Sequence, residues 1–261
     1  LEPAIMGYND YALDPRILDP SDPKANGLDY DNFLPGYDVA YKHEYHSPEY
    51  FDYLRQKGYP ENLCNPSICE TYDIPPEGTG GRHPACFPAL YRDEDSEGRF
   101  LARKAVDYIR THAGKNWFLN VNFIKPHPPR ICPEPYHRMY DPSDMAPATR
   151  NASELQPDHP YLRMIRENPV FPDDKELSEV KACYYGMVSE VDSYVGELID
   201  ALKESGQWDD TMIIFTADHA EYMGDHYFSD KAHFYDSTMR VPFIVRDPHA
   251  RNTHGRVYDG F

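Results

Sequence analysis

Positive charge is scarce in this chain of 261 residues: 26 Lys and Arg stand against 44 Asp and Glu, a formal net charge of -18. That balance argues against nucleic acid as a partner, because phosphate backbones are held by basic faces. It also means that an anionic substrate needs a locally positive site, such as a metal ion with a lysine, set against the overall field. No apolar run is long enough to span a bilayer. The five cysteines, Cys64, Cys69, Cys86, Cys132 and Cys183, are odd in number and contain no CxxC spacing, so neither a zinc knuckle nor a closed disulfide framework is indicated, and a Cys64 to Cys69 link stays open. There is no internal repeat. Neither an initiator Met nor a signal-like segment precedes Leu1, and the final "RVYDGF" has no terminal logic, so the sequence reads as a fragment and its compartment stays open.

What is there is a globular composition, 40% hydrophobic and 14% aromatic, large enough for one large or two small domains. Residues 1–97 are rich in Pro, Gly, Asp and Tyr and should be loop-dominated. Within them "SPEYFDYLRQKG" predicts a short helix with Ser47 as N-cap and Gly58 as C-cap. From Gly98 the text changes: Leu101, Ala105 and Ile109 share one helical face, "NWFLNVNF" follows as a strand, and together they make a helix-to-strand unit of an α/β protein. Residues 125–172 return to Pro-rich loop with one short helical piece at 162–166. Leu177, Val180, Tyr184, Met187, Val191, Val195, Leu198 and Leu202 then recur at spacings of three and four, predicting a helix of about seven turns that ends near Gly206. Residues 212–215 read as a short core strand of a parallel sheet, and "VPFIVR" as one more strand.

The apolar run of 212–215 stops at Asp218 and His219, where ligands of such sheets are bound. A carboxylate beside an imidazole can hold a divalent ion of borderline character; the plainer alternative is a turn cap beside an ordinary loop histidine. Lys231, thirteen positions beyond Asp218, taken alone is a surface lysine. In "NFIKPHPPRICPEPY", His127 also follows a predicted strand, between prolines that restrict the backbone; the alternative is a rigid surface loop. The combination carries more than its parts: two strands of one α/β sheet each end in a chemically useful residue, and a lysine follows the second.

The stretch "TADHAEYMGDHYFSDKAHFYDSTMRVPFIV" resembles the metal-binding and lysine segment of the sulfatase family, within the alkaline phosphatase superfamily. "KPHPP" resembles that family's histidine segment, and "YYGMVSEVDSYVGELIDALKESGQWDDTMIIF" its helix and strand entering the site. In "IMGYNDYALDPR" the beginning is similar to the phosphonate monoester hydrolase and arylsulfatase branch, with Tyr8 at a substrate-binding place and Asp10 where a hydroxyl residue is expected. The resemblance implies an alkaline-phosphatase-like, largely parallel sheet flanked by helices, incomplete in this chain. Residues 1–261 would then be part of one catalytic domain, with 1–97 loop-rich and 98–261 its helix and strand core. It implies Asp218 and His219 as ligands of a divalent metal (calcium, manganese, magnesium or zinc), Lys231 on the transferred sulfuryl or phosphoryl group, and His127 beside a substrate oxygen or the leaving group. Arg130 and His226 are neighbours by sequence only and read as structural or solvated. Ala220 stands where the family has Gly, which disfavours a positive φ there.

The family's nucleophile, a formylglycine made from Cys or Ser in a Cys/Ser-x-Pro-x-Arg motif, has no counterpart: Cys64-Asn-Pro-Ser-Ile and Cys132-Pro-Glu-Pro-Tyr both lack the Arg. The resemblance therefore places it upstream of Leu1. The implied activity is metal-dependent hydrolysis of small sulfate esters or phosphonate and phosphate esters. The alternatives are a superfamily phosphodiesterase or phosphomutase with a Ser or Thr nucleophile, and a noncatalytic relative. A homo-oligomer is left open.

Overall fold

The computed structural model describes residues 2–8, 38–42, 47–64, 83–155, 160, 162–163, 173–231 and 233–258. Cys69, Asp10 and residues 164–166 of the expected short helical piece lie outside these; Leu162 and Arg163 are helical. Strands β1 (Glu2–Tyr8), β2 (Asp38–Lys42) and β3 (Trp117–Val121) form a parallel sheet in the order β2-β1-β3, with Met6 opposite Val121 and Tyr8 opposite Lys42. β1 and β2 were not foreseen, because each is short and lies in Pro- and Asp-rich text whose breakers outweigh a brief apolar run.

Helix α1 (Pro48–Gln56) starts after Ser47 as expected, but Ser47 makes no side-chain cap. Its hydroxyl donates instead to Glu97 Oε1 at 2.7 Å, tying α1 to the next helix. That helix, α2 (Glu97–Thr111), is capped by Ser96, whose Oγ accepts from the Arg99 amide at 3.2 Å. Leu101 and Ala105 face the sheet with Leu119 and Val121, while Val106 and Ile109 pack with Ala201 and Leu202. Each of the Leu, Val and Ile side chains contributes about 1.5–3 kcal/mol when fully buried.

Helix α3 (Asp174–Glu204) runs 31 residues, from an Asp173 cap that accepts from the Glu176 amide at 2.7 Å. At about 1.5 Å per residue it is the longest helix among the described residues, and its two halves do different work. The first half buries Val180, Cys183 and Met187 against Cys132 and Tyr136; the second packs on α2. Gly186 permits the first contact, since a β-carbon there would run into the Tyr136 carbonyl oxygen.

The reading of 212–215 as a parallel core strand is corrected. Strand β4 (Ile213–Thr216) pairs antiparallel with β5 (Phe243–Arg246) in a separate two-stranded sheet. Ile213 packs beside Trp208 against α2 and α3, but Ile214, Phe243 and Ile244 are exposed. An uncharged run reads as doubly buried because both faces are apolar, yet that pattern holds no information about pairing direction.

A charged pair holds α3 to the segment after β3 from inside. Glu190 of α3 is 0% exposed and accepts from Lys125 Nζ at 2.6 Å and from the Tyr194 hydroxyl, which also meets Ser96 Oγ at 2.7 Å. Burial alone would lower the Lys125 ammonium, but the charge and hydrogen bond of Glu190, together with Tyr194 and Cys132, outweigh it and hold the group well above its usual value. Breaking such a pair from one side is expensive because the other charge stays buried. Glu190→Ala is expected to cost about 3–5 kcal/mol in urea unfolding, and replacing both partners, Lys125→Met with Glu190→Leu, to recover most of it. A double variant as unstable as the single one would contradict this account.

Candidate active site

Parallel pairing of β1 with β3 sends Tyr8, at the end of β1, and the segment bearing His127 out of the same edge of the sheet. The Lys125-Pro126, Pro128-Pro129 and Glu134-Pro135 peptide bonds of that segment are cis. His127 is exposed, and its Nδ1 lies 2.5 Å from the Pro128 carbonyl oxygen. A carbonyl only accepts, so Nδ1 carries the hydrogen and Nε2 is left facing outward.

His219 repeats this arrangement. Its Nδ1 lies 2.8 Å from the Ala220 carbonyl oxygen, which by the same logic leaves a lone pair on Nε2. That Nε2 stands 3.5 Å from Asp218 Oδ2, with Asp218 itself held by a 3.0 Å bond from the His219 amide to Oδ1. A ring nitrogen and a carboxylate oxygen set this way are joined either by a proton on Nε2 or by a cation between them. A divalent ion with ligand bonds of about 2.0–2.2 Å fits the gap. The hydrogen bond from Nδ1 supplies the orienting partner that metal-binding imidazoles ordinarily have. Ala220 is not among the positive-φ residues, so its replacement of Gly is accommodated; its amide donates to the Thr238 carbonyl at 2.9 Å.

Lys231 is exposed, in a loop with unusual backbone. Met223, His226, Tyr227, Asp230 and His233 all have positive φ, between 45° and 73°. Such conformations cost on the order of 1–3 kcal/mol each and persist only where surroundings over-determine them. Here Gly224 takes φ +90° and leaves room for Leu177, whose Cδ2 would lie 2.6 Å from a β-carbon at that position. Asp225 accepts from the Thr149 amide at 2.8 Å and from Ser237 Oγ at 2.9 Å, while His226 bonds Glu154 at 2.7 Å and stacks on Tyr235. His226 is thus a structural member of the loop.

Sequence reasoning gave Arg130 too little weight. It is 4% exposed, and its Nη2 lies 3.2 Å from Glu221 Oε2 and 2.6 Å from Asp230 Oδ1. Glu221 is two residues from His219, Asp230 adjoins Lys231, and Arg130 is three residues from His127. One buried guanidinium therefore fastens the loop after β3 to both ends of the loop after β4. The side chains of Asp218 and His219 are brought together; those of His127 and Lys231 share the Arg130 fastening without hydrogen-bonding to that pair. Burial beside Glu221 also pushes the Tyr184 phenol up to about 12.

This is an α/β chain of the alkaline-phosphatase-like type, as its similarity to solved structures shows. The phosphonate monoester hydrolase of Agrobacterium radiobacter superposes with a TM-score of 0.80 at 35% identity, over 98% of this chain and 52% of its own. That of Silicibacter pomeroyi gives 0.78 at 32% identity, over 94% and 50%. Among curated proteins, the multifunctional alkaline phosphatase superfamily protein PehA of Trinickia caryophylli is 30% identical over 100% of this chain and 52% of its own length. An arylsulfatase of Clostridium perfringens is 28% identical over 66% and 37%. The sulfatase family profile matches residues 7–260, and the chain belongs to the sulfatase family. It spans about half the length of the phosphonate monoester hydrolases and of PehA.

Arg130→Met strands the buried Glu221 carboxylate and is expected to cost about 3–5 kcal/mol. Asp230→Asn, at a half-exposed partner, should cost under about 1 kcal/mol. Denaturation of both variants checks the difference, and equal losses would show that Glu221 is not the partner that matters.

Proposed function

We propose that the protein containing this chain hydrolyses small sulfate or phosphonate and phosphate monoesters at a site built from Asp218, His219, His127 and Lys231. The observation that carries this reading is the opposed pair of Asp218 Oδ2 and His219 Nε2, 3.5 Å apart, in a chain of the sulfatase family. Residues 1–261 then form part of one catalytic domain, loop-rich over 1–97 and built on helices and strands over 98–261.

Asp218 and His219 would hold a divalent ion, calcium, manganese, magnesium or zinc. When bound, the ion supplies Lewis acidity toward a nonbridging oxygen of the ester and toward the nucleophile. Lys231 neutralises charge on the transferring group, an interaction that gains strength as water is excluded. His127, protonated at Nε2 while Nδ1 stays on Pro128, gives its proton to the leaving oxygen or a hydrogen bond to the transferred group. Tyr8 orients the substrate from the same sheet edge as His127. The formylglycine expected of the family belongs to no Cys/Ser-x-Pro-x-Arg motif within these residues. The overall charge of -18 makes a cation and a lysine the means by which an anionic ester is drawn in.

In the full-length enzyme, Lys231→Ala is expected to lower turnover of an aryl sulfate or aryl phosphonate by roughly 10²–10³-fold with metal content unchanged. His219→Ala should lower both. Steady-state kinetics with metal analysis on the two purified variants decides it, and equal metal loss in both would show that Lys231 belongs to ion binding instead.

A further inference from the structure

Away from Asp218 and His219, the segment after β3 and the first half of α3 enclose a second group of metal-ligating side chains. Cys132 and Cys183 are buried, their Sγ atoms 3.7 Å apart. A ring nitrogen of His137 completes a trio in which all three ligand atoms lie within 4.8 Å of one another. His137 Nδ1 is buried and meets no oxygen or nitrogen partner; the group the ring does reach is the Cys132 thiol. We propose that Cys132, His137 and Cys183 form a binding site for a thiophilic d10 metal ion, zinc above all.

The geometry suits it. Ligands about 2.3 Å from a tetrahedral zinc place two sulfurs roughly 3.8 Å apart, close to the observed 3.7 Å. Two thiolates neutralise a divalent ion, so the loaded site carries no net charge into the interior, where an unbalanced charge would be costly. The imidazole supplies the third ligand. A hollow lined by Cys86, His137 and Glu179 lies beside the trio on the His137 side. The approach of α3 to this segment depends on Gly186, where a β-carbon would come within 3.1 Å of Cys132 Sγ.

The Cys183 thiol donates to the Arg130 carbonyl oxygen at 3.4 Å. Metal binding exchanges two S–H bonds for two metal–sulfur bonds and releases two protons, with no change of oxidation state. Affinity should rise steeply with pH. A disulfide between the same residues is the competing use of this pair. It would need the sulfurs to close to about 2.05 Å and would leave Nδ1 unsatisfied, whereas the metal accounts for all three side chains.

Titration of the reduced, metal-stripped protein with cobalt(II) under anaerobic conditions tests the proposal. The expected result is a thiolate-to-cobalt charge-transfer band that saturates at one equivalent, apart from any cobalt taken by Asp218 and His219, is displaced by zinc, is retained in Asp218→Ala and is lost in Cys132→Ala and Cys183→Ala. His137→Ala alters a partly exposed side chain, so the fold should survive, and it should weaken cobalt binding about tenfold or more while keeping the charge-transfer band. The proposal is overturned by a folded wild type without that band, by a band that survives Cys132→Ala, or by unchanged affinity in His137→Ala. Loss of two thiols on exposure to air, with no cobalt uptake by the reduced protein, would assign the pair to a disulfide instead.

Discussion

The buried guanidinium of Arg130 is the constraint on which the candidate site depends. Its bonds to Glu221 and Asp230 join segments about a hundred residues apart in sequence, and each segment carries residues assigned to chemistry. A surface ion pair could not do this, being worth little and easily exchanged for water. Between the buried Arg130 and Glu221, leaving one alone costs several kcal/mol, so the two loops are fixed relative to each other rather than merely adjacent. Lys125 fastens the same segment to α3 through Glu190, five residues before Arg130. Between them these two cations set the loop after β3 on a rigid rod behind and on the metal-candidate loop in front.

The loop after β4 is ordered by different means. Five non-glycine residues hold positive φ between Met223 and His233, a local cost offset by dense aromatic packing. Tyr222 is buried among Phe228, His233 and Tyr235, and Phe228 stacks on His233 at 4.5 Å. Residues held this firmly can present Lys231 and the Asp218-His219 pair with little conformational freedom left to lose, which is how a site gains from preorganisation.

How much of this was legible follows from the range of the forces involved. α2 and α3 could be read because helical periodicity is local, whereas their caps, Ser96 and Asp173, were not singled out. Asp218, His219, His127 and Lys231 stood out because a motif is also local. The antiparallel pairing of β4 with β5 could not be read, since an apolar run reports burial and not direction. Nor could the role of Arg130, whose acceptors lie far along the chain, or the meeting of Cys132 and His137 with Cys183. In that trio the third ligand arrives on α3, so no linear spacing announces the cluster. The buried Nδ1 of His137 is visible only once the fold is known.

The central claim is that Asp218 and His219 hold an ion facing the same space as His127 and Lys231. A crystal structure of the full-length enzyme with its metal and a sulfate or vanadate bound measures this directly. The account predicts the ion within ligand distance, about 2.0–2.6 Å, of Asp218 and of His219 Nε2, with Nδ1 still on the Ala220 carbonyl. It also predicts Lys231 Nζ and His127 Nε2 within hydrogen-bond distance of the anion. An ion liganded by other residues, or an anion out of reach of both His127 and Lys231, would contradict it.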